Sequence, residues 1–263
     1  MPFIDVCARR IEYERIDVAQ PGRPCLVFLH EGLGSIAMWR DFPSRVAHAT
    51  GCNSVVYSRY GYGKSAPLSG LRGVQYMHDE ALLALPEFLD KLGIERPILV
   101  GHSDGGSIAL IHAGGTRRAL TGLVLMAPHV MVEDISVTSI AAAKTAFEAT
   151  DLRAKLARYH ADVDSAFWGW NQIWLHPDFR QWNIEEYLPR ITCPVLAIQG
   201  EDYEYGTTEQ LRWIGRQVRD VELLCLEDCR HSPHRDQPDA VIESITRFVD
   251  RVTAYCATGA AAE

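Results

Sequence analysis

Six short stretches of the chain are apolar almost without interruption: CLVFLH from Cys25, NSVVYSRY from Asn53, PILVGHS from Pro97, LTGLVLMAP from Leu120, CPVLAIQG from Cys193 and VELLCLED from Val221. A strand with one wetted face alternates polar and apolar residues. An unbroken run instead suits a strand covered on both faces, as in a parallel sheet between helical layers. Helical periodicity lies between the runs. Leu82, Leu85, Leu89 and Leu92 fall at spacings of 3, 4 and 3, with Gly93 placed to end the helix, and Val241, Ile245, Phe248 and Val252 repeat the stripe near the C-terminus. Strand and helix in alternation predict an α/β fold. Its sheet is doubly wound and mostly parallel, its crossovers are right-handed, and ligands bind beyond the strand C-terminal ends.

The alternation breaks once. Between His129 and Pro189 no run reads as a strand, while TSIAAAKTAFEATDLRAKLARYH is rich in helix formers. The stretch DSAFWGWNQIWLHPDFRQW carries four of the six tryptophans, Trp168, Trp170, Trp174 and Trp182. The pattern therefore predicts a core domain of residues 1–128 and 190–263 with a helical cap inserted at 129–189. Some of these indoles face a ligand and others anchor the cap to the sheet. The Ala-rich end, ATGAAAE, is expected to fray.

With 263 residues, 47% of them hydrophobic, the chain can bury a large core. A net charge of −8 and no Lys/Arg cluster argue against nucleic acid or an anionic membrane surface as partners. Charges within the first ten residues leave no apolar leader or membrane span there, so a cytoplasmic protein is expected, monomeric or homodimeric. Seven scattered cysteines read as free thiols. CLEDCRHSPH places two cysteines near two histidines but lacks a second ligand pair at zinc spacing, so neither a metal nor another cofactor is expected.

The densest chemical signal is Gly101-His102-Ser103-Asp104-Gly105, which follows an apolar run and opens a helical pattern. A strand turning abruptly into a helix forces its middle residue into strained backbone, and side chains two positions away would collide unless they were hydrogen. The strain lifts the Ser103 hydroxyl above the sheet, and the helix N-terminus aims amides at an oxyanion formed beside it. SRYGYGKSAP contains Gly-Lys-Ser, but a phosphate loop needs glycine at position 58, which is Ser58. Gly61, Gly63 and Ser65 therefore read as turn architecture.

On the G-x-S-x-G pentapeptide the chain resembles the α/β-hydrolase superfamily, from about Arg23 to Val252. FLHEGLGSIAMW is similar to the loop that supplies half of the family's oxyanion hole, which implies the N–H of Gly32 with that of Asp104 as donors. Glu31 stands there where the family usually has glycine. The resemblance further implies Asp202, at the end of CPVLAIQGED, as the acid, and His231, in LEDCRHSPHRDQP, as the base in preference to His234. Arg230 takes the place of the family's glycine before that histidine. Glu201 and Glu204 flank the acid and also fit a solvated loop.

Of the other histidines, His102 supports the elbow, and His48, His78, His112, His160 and His176 need no catalytic role. His129, at the end of LVLMAP, is a pocket candidate together with Glu31, Trp168, Trp170 and Trp174. The resemblance implies a Ser-His-Asp hydrolase forming an acyl enzyme on a small carboxylic ester. SDGG and the Trp-bearing segment look like the biphenyl-hydrolase-like branch, which includes α-amino ester hydrolases, and Asp104, Glu31, Glu133 and Asp134 could welcome a cation. Two other functions use the same fold: carbon–carbon bond hydrolysis in aromatic catabolism, and small-molecule binding without catalysis.

Overall fold

All six apolar runs form strands. In the computed structural model, which describes residues 1–18, 20 and 22–259, they are β3 (Leu26–Leu29), β4 (Ser54–Tyr57), β5 (Ile98–His102), β6 (Gly122–Met126), β7 (Val195–Gly200) and β8 (Val221–Leu226). The first five are buried at every residue, whereas β8, on the edge, is half open. Two further strands precede them, β1 (Phe3–Val6) and β2 (Arg9–Ile16), joined by a tight turn at Cys7 and Ala8 whose φ values are 49° and 57°. The sheet order is β1-β2-β4-β3-β5-β6-β7-β8; β1–β2 and β2–β4 are antiparallel and every other pair is parallel. The hairpin escapes a search for apolar runs because β2 reads RRIEYERI, a strand with charged residues along its length.

Successive side chains of a strand face opposite ways, and the core divides accordingly. Leu26, Phe28, Val100, Val124 and Ile198 pack on one face against Phe42 and Val46 of α1 (Phe42–Thr50) and against Val241, Ile245, Phe248 and Val252 of the long C-terminal helix. Val27, Leu29, Leu99, Leu123 and Ala197 face the other layer, with Leu85, Phe88, Ile108 and Ile214. The predicted Leu82–Leu92 helix is a rod of three pieces. It comprises α2 (Tyr76–Asp79), a π-helical turn at Glu80–Ala84 and α3 (Leu85–Lys91), and Gly93 follows it at φ 66°. Leu85 and Leu89 are fully buried, as the stripe requires.

The helix after β5 is α4 (Asp104–Gly115). Between β6 and β7 the chain is helical: α5 (Asp134–Ala149), α6 (Leu152–Leu156), α7 (Val163–Trp174) and 3₁₀ turns at Pro177–Gln181 and Glu185–Arg190. An isolated bridge, Met131 to Asn183, closes this insertion at its base. After β7 come α8 (Glu209–Gln217), α9 (Pro233–Asp236) and α10 (Pro238–Gly259), which includes Ala257, Thr258 and Gly259 of the Ala-rich end; residues 260–263 of that end lie outside the described residues. Among the described residues no helix is long and apolar enough to cross a membrane.

Candidate active site

β5 stops at His102 and α4 begins at Asp104, so a single residue makes the turn. Ser103 takes φ 53° and ψ −118°, the left-handed region that a non-glycine residue enters only under constraint. The constraint is tertiary. The Ser103 amide donates to the Met126 carbonyl at 2.9 Å, and the Ser107 amide returns to the Ser103 carbonyl at 3.0 Å. A Cβ on Gly105 would strike the Leu29 carbonyl, and one on Gly101 would strike the backbone of Gly105, so both glycines are required by close approach. The Ser107 hydroxyl donates to the His129 carbonyl at 2.7 Å and accepts from the His129 amide at 3.1 Å, pinning the end of β6 to the same helix.

Ser103 opens onto a cavity of about 440 Å³, mouth included, a volume suited to a small molecule. Glu31, Gly32, Asp104, His129, Trp170, Trp174 and His231 of the sequence-predicted set line it, joined by Leu33, Ile140 and Tyr205. Trp168 does not. It is half-buried within the helical insertion, edge-on to Phe147 and Phe167 at 5.5 and 5.1 Å, an anchoring residue rather than a cavity wall. Glu133 and Asp134 are also committed elsewhere. Glu133 accepts from Thr207 and Gln210, and Asp134 pairs with Arg180.

The loop after β3 is held by buried Arg59, whose Nη2 donates to the carbonyls of His30 and Glu31 at 3.3 and 2.9 Å. His30 donates from Nδ1 to the Glu31 carbonyl at 2.7 Å and accepts the Arg59 amide on Nε2 at 3.0 Å. In a trans peptide the carbonyl and the next N–H point opposite ways. With the Glu31 oxygen turned to Arg59, the Gly32 N–H is turned away from it and has no acceptor among the described residues. The Asp104 amide opens α4, where a helix has no acceptor of its own to offer. Trp170 lies directly over Gly32, and His160 of the helical insertion donates from Nε2 to the Leu33 carbonyl at 2.9 Å while accepting the Gly63 amide at 3.0 Å.

Asp104 is almost fully buried. Its Oδ2 accepts from Tyr76 at 2.7 Å and lies 3.7 Å from Arg59; Trp174 bonds the same tyrosine hydroxyl, and Oδ1 has no hydrogen-bond partner among the described residues. Burial raises its pKa, partly countered by Arg59 and Tyr76.

His231 is fixed by its backbone. Its amide donates to Glu204 Oε2 at 3.0 Å, and its carbonyl accepts from His102 Nε2 at 2.7 Å. His102 Nδ1 in turn lies 3.4 Å from Glu31 Oε2. Burial, then the adjacent His102 and His129, holds the His231 pKa well below the ordinary imidazole value. Burial would raise Glu31, but the His102 ring beside it holds that carboxyl well below its usual range.

Asp202 is not brought to this histidine. It is exposed, and its carboxylate makes no hydrogen bond or ion pair among the described residues, while Nδ1 of His231 is buried without a partner. The turn after Gly200 has Glu201, Asp202 and Glu204 outside, with Tyr203 buried and Tyr205 half-buried. Tyr203 lies parallel to the His231 ring, with centroids 5.3 Å apart and planes at 8°, and its hydroxyl sits 2.7 Å from His129 Nε2. Burial drives His129 down to about 4. Neither tyrosine stands out in the sequence as a site residue. Their signal is the alternation in Asp-Tyr-Glu-Tyr, acidic out and aromatic in.

A family profile described as "Alpha/beta hydrolase family" matches residues 26–244. A proline iminopeptidase of Saccharolobus solfataricus is 23% identical over an alignment covering 86% of this chain and 85% of its own. Among solved structures, the proline iminopeptidase of Mycobacterium smegmatis superposes with a TM-score of 0.77 at 19% identity, covering 97% of this chain and 99% of that one. A meta-cleavage product hydrolase of Pseudomonas fluorescens gives 0.73 at 16%, covering 95% and 98%. At these identities the structural likeness is one of fold.

Proposed function

Because the chain belongs to the alpha/beta hydrolase family, we propose that it is a serine hydrolase that cleaves a small carboxylic ester through an acyl enzyme, with Ser103 as nucleophile and His231 as base. The observation that carries this reading is the strained Ser103 turn opening into the cavity that His231 also lines. In acylation the Ser103 oxygen bonds to the ester carbon as its proton passes to His231 Nε2. The C–O bond then breaks and that proton leaves with the alcohol. Water, deprotonated by the same nitrogen, releases the acid and restores the serine. The amides of Gly32 and Asp104 hold the intermediate oxyanion, each such donor being worth about 3 kcal/mol.

Trp170, Trp174 and Ile140 favour an apolar acyl portion. The acidic residues Glu31 and Asp104, both lining the cavity, favour an amino group on it, as in an α-amino ester. Equal kcat/KM for such an ester and its desamino analogue would remove that role.

Ser103→Ala should lower kcat by roughly 10⁵-fold or more while leaving the melting temperature unchanged, and a fluorophosphonate should label the wild-type chain once, at Ser103. Undiminished turnover by the variant, or no labelling, refutes the proposal. The orphaned His231 Nδ1 favours a second reading, a binding protein on the same fold, for which ligand binding without labelling or turnover is the signature. Assaying a ring-cleavage product beside simple esters separates carbon–carbon bond hydrolysis from both.

A further inference from the structure

We propose that His231 works as a base with no carboxylate on its second nitrogen, its ring held instead by the flat face of Tyr203, and that the site is therefore selective for esters whose leaving group departs as a stable anion. The inference rests on the reading of Ser103 as nucleophile.

In a Ser-His-acid arrangement the carboxylate on Nδ1 selects the tautomer and stabilises the imidazolium, and its loss lowers turnover by roughly 10⁴-fold. Among the described residues, the acids near the ring are engaged elsewhere or turned away. Glu201 and Asp202 face solvent, Glu204 accepts the backbone amide of His231, and Glu31 faces His102. The ring is enclosed by Tyr203, by Tyr205 at 4.8 Å and by His102 at 4.7 Å, with His234 beyond His102. Nδ1 is shut off from solvent, which leaves Nε2 as the nitrogen presented to the cavity.

Tyr203 is a positioning residue. It is 4% exposed, and its hydroxyl is tethered to His129, so the phenol is a fixed wall against which the imidazole lies parallel. That wall sets the plane of the ring but gives no acceptor to the proton on Nδ1. A proton arriving from Ser103 thus makes an imidazolium with one N–H unanswered, among neighbours that already disfavour positive charge.

The cost is greatest where the imidazolium must persist long enough to return its proton to a departing alkoxide. Aryl and enol esters, and thioesters, release anions that need no proton, so they lose least. Alkyl esters lose most.

The test compares wild type, Asp202→Asn, Tyr203→Phe and Tyr203→Asp on p-nitrophenyl acetate and ethyl acetate across pH. Asp202→Asn should stay within about twofold of wild type, whereas Tyr203→Phe, which keeps the ring face but cuts its tether to His129, should lower kcat/KM for both esters severalfold without changing their ratio. Tyr203→Asp puts a carboxylate at the inward position of the loop. It should raise kcat/KM for the alkyl ester by about 10²-fold or more, raise the aryl ester less, and move the acidic limb of the profile to higher pH. A hundredfold loss in Asp202→Asn overturns the inference, because Asp202 would then be the acid. So does a well-folded Tyr203→Asp with unchanged ester preference and an unmoved limb. If Tyr203→Asp melts early, Asp202→Asn decides alone. Fluorophosphonate labelling of Ser103 keeps the two readings apart: its failure removes the hydrolase, whereas the outcomes above with labelling intact remove only this inference.

Discussion

Ser103 and His231 are held by different means, and the difference decides how legible each is in the sequence. The serine's strain is encoded within five residues, Gly101 to Gly105, so its position follows from local sterics. The partner of the histidine depends on which residue of a turn faces inward, and a shift of one position decides it. Glu201, Asp202 and Glu204 supply three acids within four residues, yet the buried residue among them is Tyr203. A further outcome belongs to this scale. Because burial and two imidazoles depress His231, the imidazole proposed as base stays unprotonated below its ordinary value of about 6.5. Wild-type kcat/KM should therefore stay flat as pH falls through 6.5 and decline only well below it. A limb centred at 6.5 in a pH–rate profile would contradict the depressed imidazole.

Among the elements, those buried on both faces announced themselves. Leu26 to Leu29 and Gly122 to Met126 are wholly apolar apart from one glycine because helices cover them above and below. Strand β2 is hidden in sequence by Arg9, Arg10, Glu12, Glu14 and Arg15, and it is recovered only through its pairing with β4. Leu83, 61% exposed in the π-helical turn, fits neither face of the leucine stripe, and no spacing rule foretold that turn. The elbow between β5 and α4 is the element on which the site turns. Gly105→Ala would drive a methyl into the Leu29 carbonyl, at a cost of about 1–3 kcal/mol. The expected result is a lower melting temperature together with slower fluorophosphonate labelling, since the strand and the Ser103 turn must part to admit it. Unchanged melting and labelling would place the glycine outside any tight contact.

For the molecule as a whole, the buried imidazoles link folding to pH. His129, His231 and His234 all titrate below 6.5 when folded, burial being the first cause for each. The unfolded chain takes up protons on them below about pH 6.5, and the folded chain does not. Stability is thus fully present above 6.5 and is lost progressively as pH falls toward the depressed values. For His129 alone the fall to about 4 corresponds to about 3 kcal/mol at about 1.4 kcal/mol per pKa unit. Calorimetry between pH 8 and 5 should show a melting temperature that drops below pH 6.5, and replacing His129 by a neutral residue of similar size should flatten that drop. A melting temperature indifferent to pH in this range would contradict the linkage.

The bonds of His160 reach furthest. One imidazole of the helical insertion grips both the Gly63 turn and the carbonyl of Leu33, next to the peptide that presents Gly32 to the cavity. If Gly32 serves as the proposed oxyanion donor, breaking that grip would uncouple the helical insertion from the loop that carries it. On that reading, a displacement of the helical insertion would be felt at the same loop that carries the oxyanion donor.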